Sequence, residues 1–225
     1  MIVCKPFGVA ALLLELAEQP HAELPARIAH LGERIRQRFG TAVTDLVAGW
    51  TSLLVHYDPL RLTLAELQAG LQPLLADWPD AALAGEGGRL HQVPTLYAGP
   101  DLAEVAERCG LSEGEVIARH SGRDYQVGAI GFMPGFAFLG ELDERLALPR
   151  RSTPRTSVPA GSLAIAERQT AVYPQASPGG WHLIGRCLWT VFAAQAEPPC
   201  LLAPGDRVRF VPVDEASFRA QGGQP

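Results

Sequence analysis

The sequence predicts an α+β protein of two domains, an N-terminal ferredoxin-like α/β domain followed by a β-barrel domain. Three observations lead to this prediction. Strand and helix patterns alternate over the first 84 residues. Short β-type runs separated by Gly/Pro turns fill most of the rest of the chain. Between the two parts, residues 79–89 lose apolar periodicity and gather glycine, which is typical of a domain boundary. We therefore assign residues 1–84 to the first domain and 89–225 to the second.

The first domain is predicted from alternating strand and helix patterns. The predicted elements are a strand over residues 10–16, a helix over 22–39, strands over 41–48 and 52–57, a helix from 63 to 75, and a further strand. Apolar residues three and four positions apart define one helix face from Leu24 to Phe39, and Gly40 ends that helix. Thr63 and Glu66 have the form of a capping box at the start of the second helix. This order of elements is the split βαβ arrangement called ferredoxin-like.

The second domain opens with a strand and two short helices and continues as β structure. The predicted elements are a strand over 90–97, helices over 101–109 and 112–120, and strands over 125–130, 162–166, 170–173, 182–184, 189–192 and 207–211. Pro94 predicts that the first of these strands is edge-like, because proline cannot donate to a strand ladder. No helix is predicted after residue 125. Short strands joined by Gly/Pro turns at these intervals are typical of a closed barrel.

Composition and charge exclude several classes of function. The net charge of −5 and the pI near 5.7 argue against nucleic-acid binding, which would require a basic patch. No apolar run approaches the roughly 20 residues that span a bilayer, so no membrane contact is expected. The first residues lack the pattern of a signal peptide, and a cytoplasmic location is expected. The four cysteines are scattered without a CxxC pair, so we expect free thiols and no metal site.

A stretch rich in glycine and aromatic residues, 131–140, is the candidate site. Three phenylalanines lie among three glycines and a proline, a mixture that predicts neither a helix nor a plain strand. Aromatic side chains on so constrained a backbone favour a pocket wall. The same composition recurs over residues 149–155, 158–162 and 177–181. The predicted substrate-binding residues are Phe132, Pro134, Phe136, Arg150, Gly179, Gly180 and Trp181, with core packing as the alternative for the aromatic ones.

Ordered motifs along nearly the whole chain carry a family resemblance. They are Trp50 to Pro59, Gly131-Phe132, Pro134-Gly135-Phe136, Pro149-Arg150, Pro154-Arg155, Val158 to Ser162, Gln169-Thr170, Ser177 to Trp181 and Ile184-Gly185-Arg186. Together they resemble the KipI / allophanate hydrolase subunit 1 family, whose bacterial members include the B subunit of the ATP-dependent 5-oxoprolinase. The resemblance implies a ferredoxin-like N-terminal domain and a cyclophilin-like β-barrel.

The resemblance also implies a non-autonomous subunit of an ATP-dependent amide (lactam) hydrolase. Members of this kind help to cleave the small molecule 5-oxo-L-proline to L-glutamate. They act with two partners, the A and C subunits, of which the second is an allophanate hydrolase subunit 2-like protein. The chain has no GxxxxGK[ST] run and no Gly-x-Ser-x-Gly elbow. ATP is therefore expected to be bound by, or shared with, the partner subunits of a hetero-oligomer.

Lactam opening needs groups that stabilise developing charge, and four residues are candidates for catalysis. Arg155 and Arg186 could grip a carboxylate or phosphate through parallel hydrogen bonds, although arginines also satisfy loop carbonyls. Gln169 could bond an amide as both donor and acceptor, or it could fix a loop. His120 could act as a general acid or base, or it could contact the C-terminus of its own helix.

The sequence leaves two other functions open. A KipI-like inhibitor of a sensor histidine kinase would use the aromatic stretch as a docking surface. A carboxyltransferase-type partner in urea or allophanate metabolism is the other alternative. The chain departs from the family pattern at Glu167, Ala171, Cys187 and Leu188. These departures bear on the identity of the substrate rather than on the fold.

Overall fold

The first unit of the chain is built on an antiparallel sheet. The computed structural model describes residues 2–21, 23–76, 78 and 88–224, and the chain divides into units of residues 1–88 and 89–225. The elements of the first unit are β1 (Val3–Pro6), β2 (Ala11–Glu15), α1 (Leu24–Phe39), β3 (Val43–Ala48), β4 (Ser52–Tyr57) and α2 (Leu64–Ala76). The sheet has the order β1-β2-β4-β3, with every neighbouring pair antiparallel.

The order of elements in this unit differs from the prediction at its start. β1 is an additional strand that pairs with β2, with Val3 opposite Glu15. Most of its residues are exposed, so it lacks the apolar run that marks a buried strand in a sequence. The strand expected after α2 would fall on residues 77 and 79–87, which lie outside the described residues, as does most of the predicted boundary. Among the described residues, the strand at the edge of the sheet beside β2 is β1, which is formed by the start of the chain.

The core of the first unit forms where the apolar faces of sheet and helices meet. Leu12 and Leu14 of β2 are fully buried in the same cluster as Ile28 and Ile35 of α1. The predicted amphipathic helix is therefore confirmed, and it ends at Gly40. The predicted capping box of α2 is also confirmed. The Thr63 amide donates to the Glu66 carboxylate, and the Glu66 amide donates to the Thr63 hydroxyl.

The second unit contains a closed barrel of seven strands. Its elements are β5 (Leu90–Leu96), α3 (Leu102–Cys109), α4 (Glu113–Ser121), β6 (Tyr125–Ile130), β7 (Ala137–Gly140), β8 (Arg155–Val158), β9 (Ser162–Ala166), β10 (Gln169–Val172), β11 (Ser177–Gly179), β12 (His182–Cys187), β13 (Arg207–Pro212) and α5 (Glu215–Ala220). The barrel has the order β10-β7-β6-β13-β5-β12-β9, and β8 and β11 form a separate two-stranded ribbon. Within the described residues, no helix has the length and apolar character needed to cross a membrane.

Several predictions for this unit are wrong in detail. The stretch 131–140 contains a strand, β7, which pairs with β6 and β10. The short strands β8 and β11 and the helix α5 are not predicted, because each has six residues or fewer and little periodicity. Residues 189–192 form no strand, and only Phe192 makes an isolated bridge, to Cys200.

β5, the strand that contains Pro94, has a neighbouring strand on each side in the barrel wall. The prediction that this strand is edge-like is therefore wrong. β5 pairs in parallel with β13 and antiparallel with β12. The pairing with β12 ends where Thr95 lies opposite Cys187, and the Leu188 amide then donates to the Pro94 carbonyl. Because the nitrogen and carbonyl of a strand residue point to the same side, the Pro94 nitrogen faces the place where β12 has ended. The missing N–H therefore costs no ladder bond.

Alternation along the barrel strands produces two apolar layers. On β9, Leu163 and Ile165 belong to the core inside the barrel, whereas Ala164 and Ala166 belong to a second cluster. Successive strand residues face opposite sides, so the second cluster lies on the outer surface of the barrel wall. Val158 of β8 joins this outer cluster, which places the β8–β11 ribbon beside it.

Candidate functional site

A cavity of about 360 Å³ lies in the outer layer, beside the β8–β11 ribbon. Rings, prolines and glycines dominate its lining, which consists of Phe132, Phe136, Phe138, Arg150, Pro154, Tyr173, Pro178, Gly179, Gly180 and Trp181. We call it the aromatic cavity. Six of the seven predicted substrate-binding residues line it, whereas Pro134 is exposed on the neighbouring turn and does not. An apolar concavity with few polar groups is the usual form of a small-molecule site.

Phe136 is the centre of the aromatic packing. It is only 2% exposed, and its ring makes edge-to-face contacts with four others, at centroid distances of 4.9 to 5.8 Å. The partners are Phe132, Phe138, Tyr173 and Trp181. Such pairs contribute about 0.5–1.5 kcal/mol each beyond the area they bury. Phe136 therefore holds the other rings in place, and both the packing and the pocket interpretations of the aromatic stretch apply.

A tight turn presents Phe132 at the rim of the cavity. Phe132 has a φ of +69° and is 68% exposed, and Gly135 in the same turn has a φ of +77°. The Met133 amide bonds the Gly131 carbonyl at 2.8 Å, and the Phe136 amide bonds the Met133 carbonyl at 3.1 Å. A left-handed conformation costs a residue with a side chain about 1–2 kcal/mol. Backbone strain of this kind concentrates at functional sites.

Arg150 gives the cavity its charge. Of the described residues that line the cavity, Arg150 alone is charged. Its guanidinium lies over the Trp181 ring, 6.0 Å from the ring centroid. It is exposed and takes part in no ion pair or hydrogen bond between described residues. The cavity therefore offers one uncommitted cation above an apolar wall, which favours an anionic ligand.

Tyr173 brings a hydroxyl group to the aromatic cavity, and the sequence prediction missed it. A side chain at position 179 would overlap this hydroxyl, so glycine is required there. Burial raises the pKa of Tyr173, while Arg150, the Trp181 backbone and Arg155 act in the opposite direction. The hydroxyl therefore stays protonated and neutral at physiological pH.

We expect Gly179→Ala to destabilise the protein by about 1–3 kcal/mol, because the new methyl group displaces the Tyr173 ring. Urea unfolding would measure this change. Gly180→Ala is the matched control, since its methyl group would meet Pro154 at an ordinary 3.6 Å. Adding Tyr173→Phe to Gly179→Ala removes the closest atom and should restore part of the stability. Equal losses for the two glycine variants would contradict this account of the contact.

Asp101 is the electrostatic centre beside the ribbon. Its side chain is 4% exposed, and its Oδ1 accepts bonds from Arg155 Nη2 at 2.6 Å and from Arg151 Nη1 at 3.1 Å. Its Oδ2 accepts from the Leu183 amide at 2.7 Å. Arg151 Nη1 also bonds Glu104 Oε2 at 2.8 Å. Asp101 thus ties the start of α3 to β8 and to β12.

Arg155, predicted to be catalytic, is therefore committed to Asp101 and does not line the aromatic cavity. Its Nη2 makes the bond, and its Nη1 is buried without a partner among the described residues. The sequence could not reveal this arrangement, because Asp101 precedes Arg155 by 54 residues.

Gln169 and Arg186 both lie outside the lining of the aromatic cavity. Gln169 starts β10 and, by alternation with Ala171, faces the same outer side as Tyr173, but it does not line the cavity. Arg186 donates to the Ala160 carbonyl at 3.1 Å. It lines a separate cleft with the chain after α5. The structure therefore does not bring Arg155, Gln169 and Arg186 together in the aromatic cavity.

His120 is in the barrel core. It is fully buried, with its Nδ1 2.7 Å from the Tyr97 hydroxyl and its Nε2 2.9 Å from Thr170 Oγ1. Because Thr170 donates its own proton to the Ala164 carbonyl, His120 Nε2 carries the hydrogen and Nδ1 accepts from Tyr97. Burial, and to a lesser degree the charge of Arg123, lowers the pKa of His120 to about 3. This placement argues against the predicted role as a general acid or base, because the ring cannot reach a substrate.

The positions of the histidine, cysteine and acidic residues decide whether the described part of the chain can bind a metal ion or use a reactive thiol. Within the described ranges, no three His, Cys, Asp or Glu residues lie close enough to hold a metal ion. The four cysteines are free thiols, and burial raises the pKa of Cys187 to about 12. A thiol with so high a pKa is not a nucleophile at neutral pH.

Comparison with known proteins defines the family to which this chain belongs. Residues 2–202 match the family described as carboxyltransferase domain, subdomain C and D. The match spans most of the chain, and the chain belongs to this family.

Individual relatives narrow the comparison. The chain is 39% identical over 216 residues to the B subunit of 5-oxoprolinase from Escherichia coli O157:H7, covering 94% of this chain and 96% of that protein. The crystal structure of TTHA0988 superposes with a TM-score of 0.80 at 39% identity. That match covers 92% of this chain but only 40% of the longer TTHA0988 chain. Urea amidolyase of Saccharomyces cerevisiae is 33% identical over 251 residues, covering 95% of this chain and 13% of that protein.

Proposed function

We propose that the chain is the B subunit of an ATP-dependent 5-oxoprolinase, which cleaves 5-oxo-L-proline to L-glutamate together with its A and C subunits. The observation that carries the proposal is the aromatic cavity with its uncommitted Arg150, on a chain similar to a protein of that name over nearly its whole length. The substrate is a small ring with one carboxylate. An apolar cavity with a single cation suits such a molecule.

The chain contributes only part of the proposed active site. Lactam opening needs groups that stabilise developing negative charge, and the cavity lining supplies one cation and no carboxylate. We therefore place the remaining groups on the two partners, the allophanate hydrolase subunit 2-like C subunit among them. A phosphate chain would need several donors, so ATP belongs to the partners or to a site shared with them.

The proposal includes the fold type of each unit and the location of the protein in the cell. The first unit is ferredoxin-like, with β1 taking the edge position that a last strand would occupy. The second unit is cyclophilin-like, a barrel with helices α3 and α4 beside it. A cytoplasmic location suits a subunit of an ATP-consuming enzyme.

Reconstitution tests the proposal directly. The full chain is expected to give ATP-dependent glutamate release from 5-oxo-L-proline when it is mixed with the A and C subunits, and no release when any of the three is omitted. Glutamate and ADP would both be quantified. A three-subunit mixture that is folded and assembled but releases no glutamate would contradict the proposal.

A second candidate, a carboxyltransferase-type partner in urea metabolism, is favoured by the similarity to one part of urea amidolyase. It predicts a different reaction, in which consumption of urea depends on both ATP and bicarbonate. For this test the chain would be mixed with a biotin carboxylase partner in place of the A and C subunits, and offered urea and bicarbonate in place of 5-oxo-L-proline. Consumption of urea without release of glutamate would favour this second candidate.

A further inference from the structure

The aromatic cavity holds two polar side chains whose roles differ. Arg150 is exposed at the rim beside Trp181, whereas Tyr173 is only 2% exposed and lies against Gly179. The remaining side chains of the lining are aromatic rings and prolines, apart from two glycines. A ligand in the cavity therefore meets a charged group at one place, a neutral hydroxyl at another and apolar surface elsewhere.

Arg150 is suited to a carboxylate. Other arginines of this unit have carboxylate partners, as Arg151 has Glu104 and Arg209 has Asp124. No carboxylate of the described residues pairs with Arg150, and its position over the Trp181 ring keeps the guanidinium at the cavity. A guanidinium fixed in this manner can donate two parallel hydrogen bonds to a ligand carboxylate.

Tyr173 is suited to a neutral acceptor. Its hydroxyl is protonated, so it can donate, and no described residue accepts its proton in a hydrogen bond. The backbone N–H of Trp181 donates to the same oxygen, so this contact does not use the hydroxyl proton. A hydroxyl at the cavity wall with an unused proton discriminates between ligands, because a bound ligand without an acceptor leaves the proton unpaired.

We propose that the aromatic cavity binds a small cyclic carboxylate through two separate contacts: Arg150 pairs with the carboxylate, and the Tyr173 hydroxyl donates to a carbonyl oxygen on the ring. The flat ring lies against the aromatic wall of Phe136 and Trp181. The choice of a ring bearing both groups rests on the proposed function. Tyr173 is thus a binding residue that determines specificity for a lactam over a plain ring acid.

Three ligands test the two contacts separately. 5-Oxo-L-proline has both groups, cyclopentanecarboxylate lacks the carbonyl, and 2-pyrrolidinone lacks the carboxylate. Binding would be measured by calorimetric titration of the full chain assembled with the A and C subunits, without ATP. Arg150→Gln should weaken 5-oxo-L-proline and cyclopentanecarboxylate roughly tenfold or more and leave 2-pyrrolidinone unchanged. Tyr173→Phe should weaken 5-oxo-L-proline and 2-pyrrolidinone about fivefold, and it should not weaken cyclopentanecarboxylate, whose affinity stays the same or rises because the unpaired hydroxyl is gone.

Two variants outside the cavity serve as matched controls. Arg168→Gln removes an arginine that pairs with Glu141 and Glu144 at the surface. Tyr57→Phe removes a hydroxyl that bonds the Val9 carbonyl in the first unit. Neither change should alter the affinity for any of the three ligands. Circular dichroism of all four variants would establish that each is folded.

The outcomes separate this inference from the proposed function. If the assembled enzyme releases glutamate but Arg150→Gln and Tyr173→Phe keep wild-type affinities, this inference is wrong and the proposed function stands. If glutamate is not released but the crossed pattern of affinities appears, the cavity assignment stands and the proposed function fails. A wild-type assembly that binds none of the three ligands, or variants that weaken all three equally, would overturn the inference.

Discussion

Asp101→Asn is expected to lower the free energy of unfolding by about 3 kcal/mol and the Tm by roughly 5–10 °C. The carboxylate is buried and accepts from two guanidinium groups and one backbone amide. Asparagine has nearly the same size as aspartate but no charge. Its NH2 group would also face N–H donors, because all three partners of the Asp101 carboxylate donate hydrogen bonds. Breaking a buried ion pair on one side costs about 3–5 kcal/mol, and the partial exposure of Arg151 and Arg155 places the effect at the lower end.

Asp124→Asn is the control for this substitution. Asp124 also meets two arginines, with Arg209 at 2.6 Å and Arg207 at 3.8 Å, but its side chain is 23% exposed and theirs are about half exposed. Exposed pairs contribute about 0–1 kcal/mol, so this change should be small. Chemical unfolding of both variants at pH 7 would compare them. Similar losses for Asp101→Asn and Asp124→Asn would show that burial of Asp101 is not what makes its ion pairs important.

Acidification is expected to destabilise the protein through His120. Its pKa is about 3 in the folded chain and 6.5 when unperturbed, so between these values the unfolded chain binds a proton that the folded chain does not. Stability is therefore fully present above pH 6.5 and is lost as the pH falls toward 3, by about 1.4 kcal/mol per pH unit. A proton on Nδ1 would also break the bond from Tyr97. From pH 6.5 to pH 5 the expected loss is about 2 kcal/mol.

His120→Gln isolates this contribution from that of the surface carboxylates. Glutamine offers a donor and an acceptor but does not titrate between pH 5 and 7. The variant should be less stable than the parent at pH 7.5, yet its free energy of unfolding should fall less between pH 6.5 and pH 5. Urea unfolding at several pH values would measure both slopes. Parallel slopes for the two proteins would contradict the assignment of the pH dependence to His120.

The sequence allowed the cavity to be predicted better than the network beside it. Phe132, Phe136 and Trp181 stand out because glycines and prolines flank them, and this local composition is visible without any structure. The bonds of Asp101 are not visible in this way, since its partners lie 50 to 82 residues further along the chain. The same holds for His120, whose hydrogen-bond partner Thr170 is 50 residues away. Tyr173 was missed because a single tyrosine at the end of a predicted strand has no distinctive pattern.

The strands that were missed share a physical cause. β1 and β11 have four and three residues, and most of their side chains are at least partly exposed, so neither shows an apolar period. β7 contains Phe138 and Leu139 on opposite faces, both packed against apolar neighbours, which hides the alternation of a half-buried strand. Residues 189–192 have strand composition but little pairing, because only Phe192 finds a partner.

Closure of the seven-stranded barrel also affects colloidal behaviour. A closed barrel exposes no row of unpaired backbone amides, which is the usual template for aggregation between copies of a chain. Among the described residues of the first unit, the two strands at the edges of the sheet carry features that discourage such stacking. β1 contains Lys5 and ends in Pro6, and β3 carries Asp45. Both features reduce edge-to-edge association between copies of the chain.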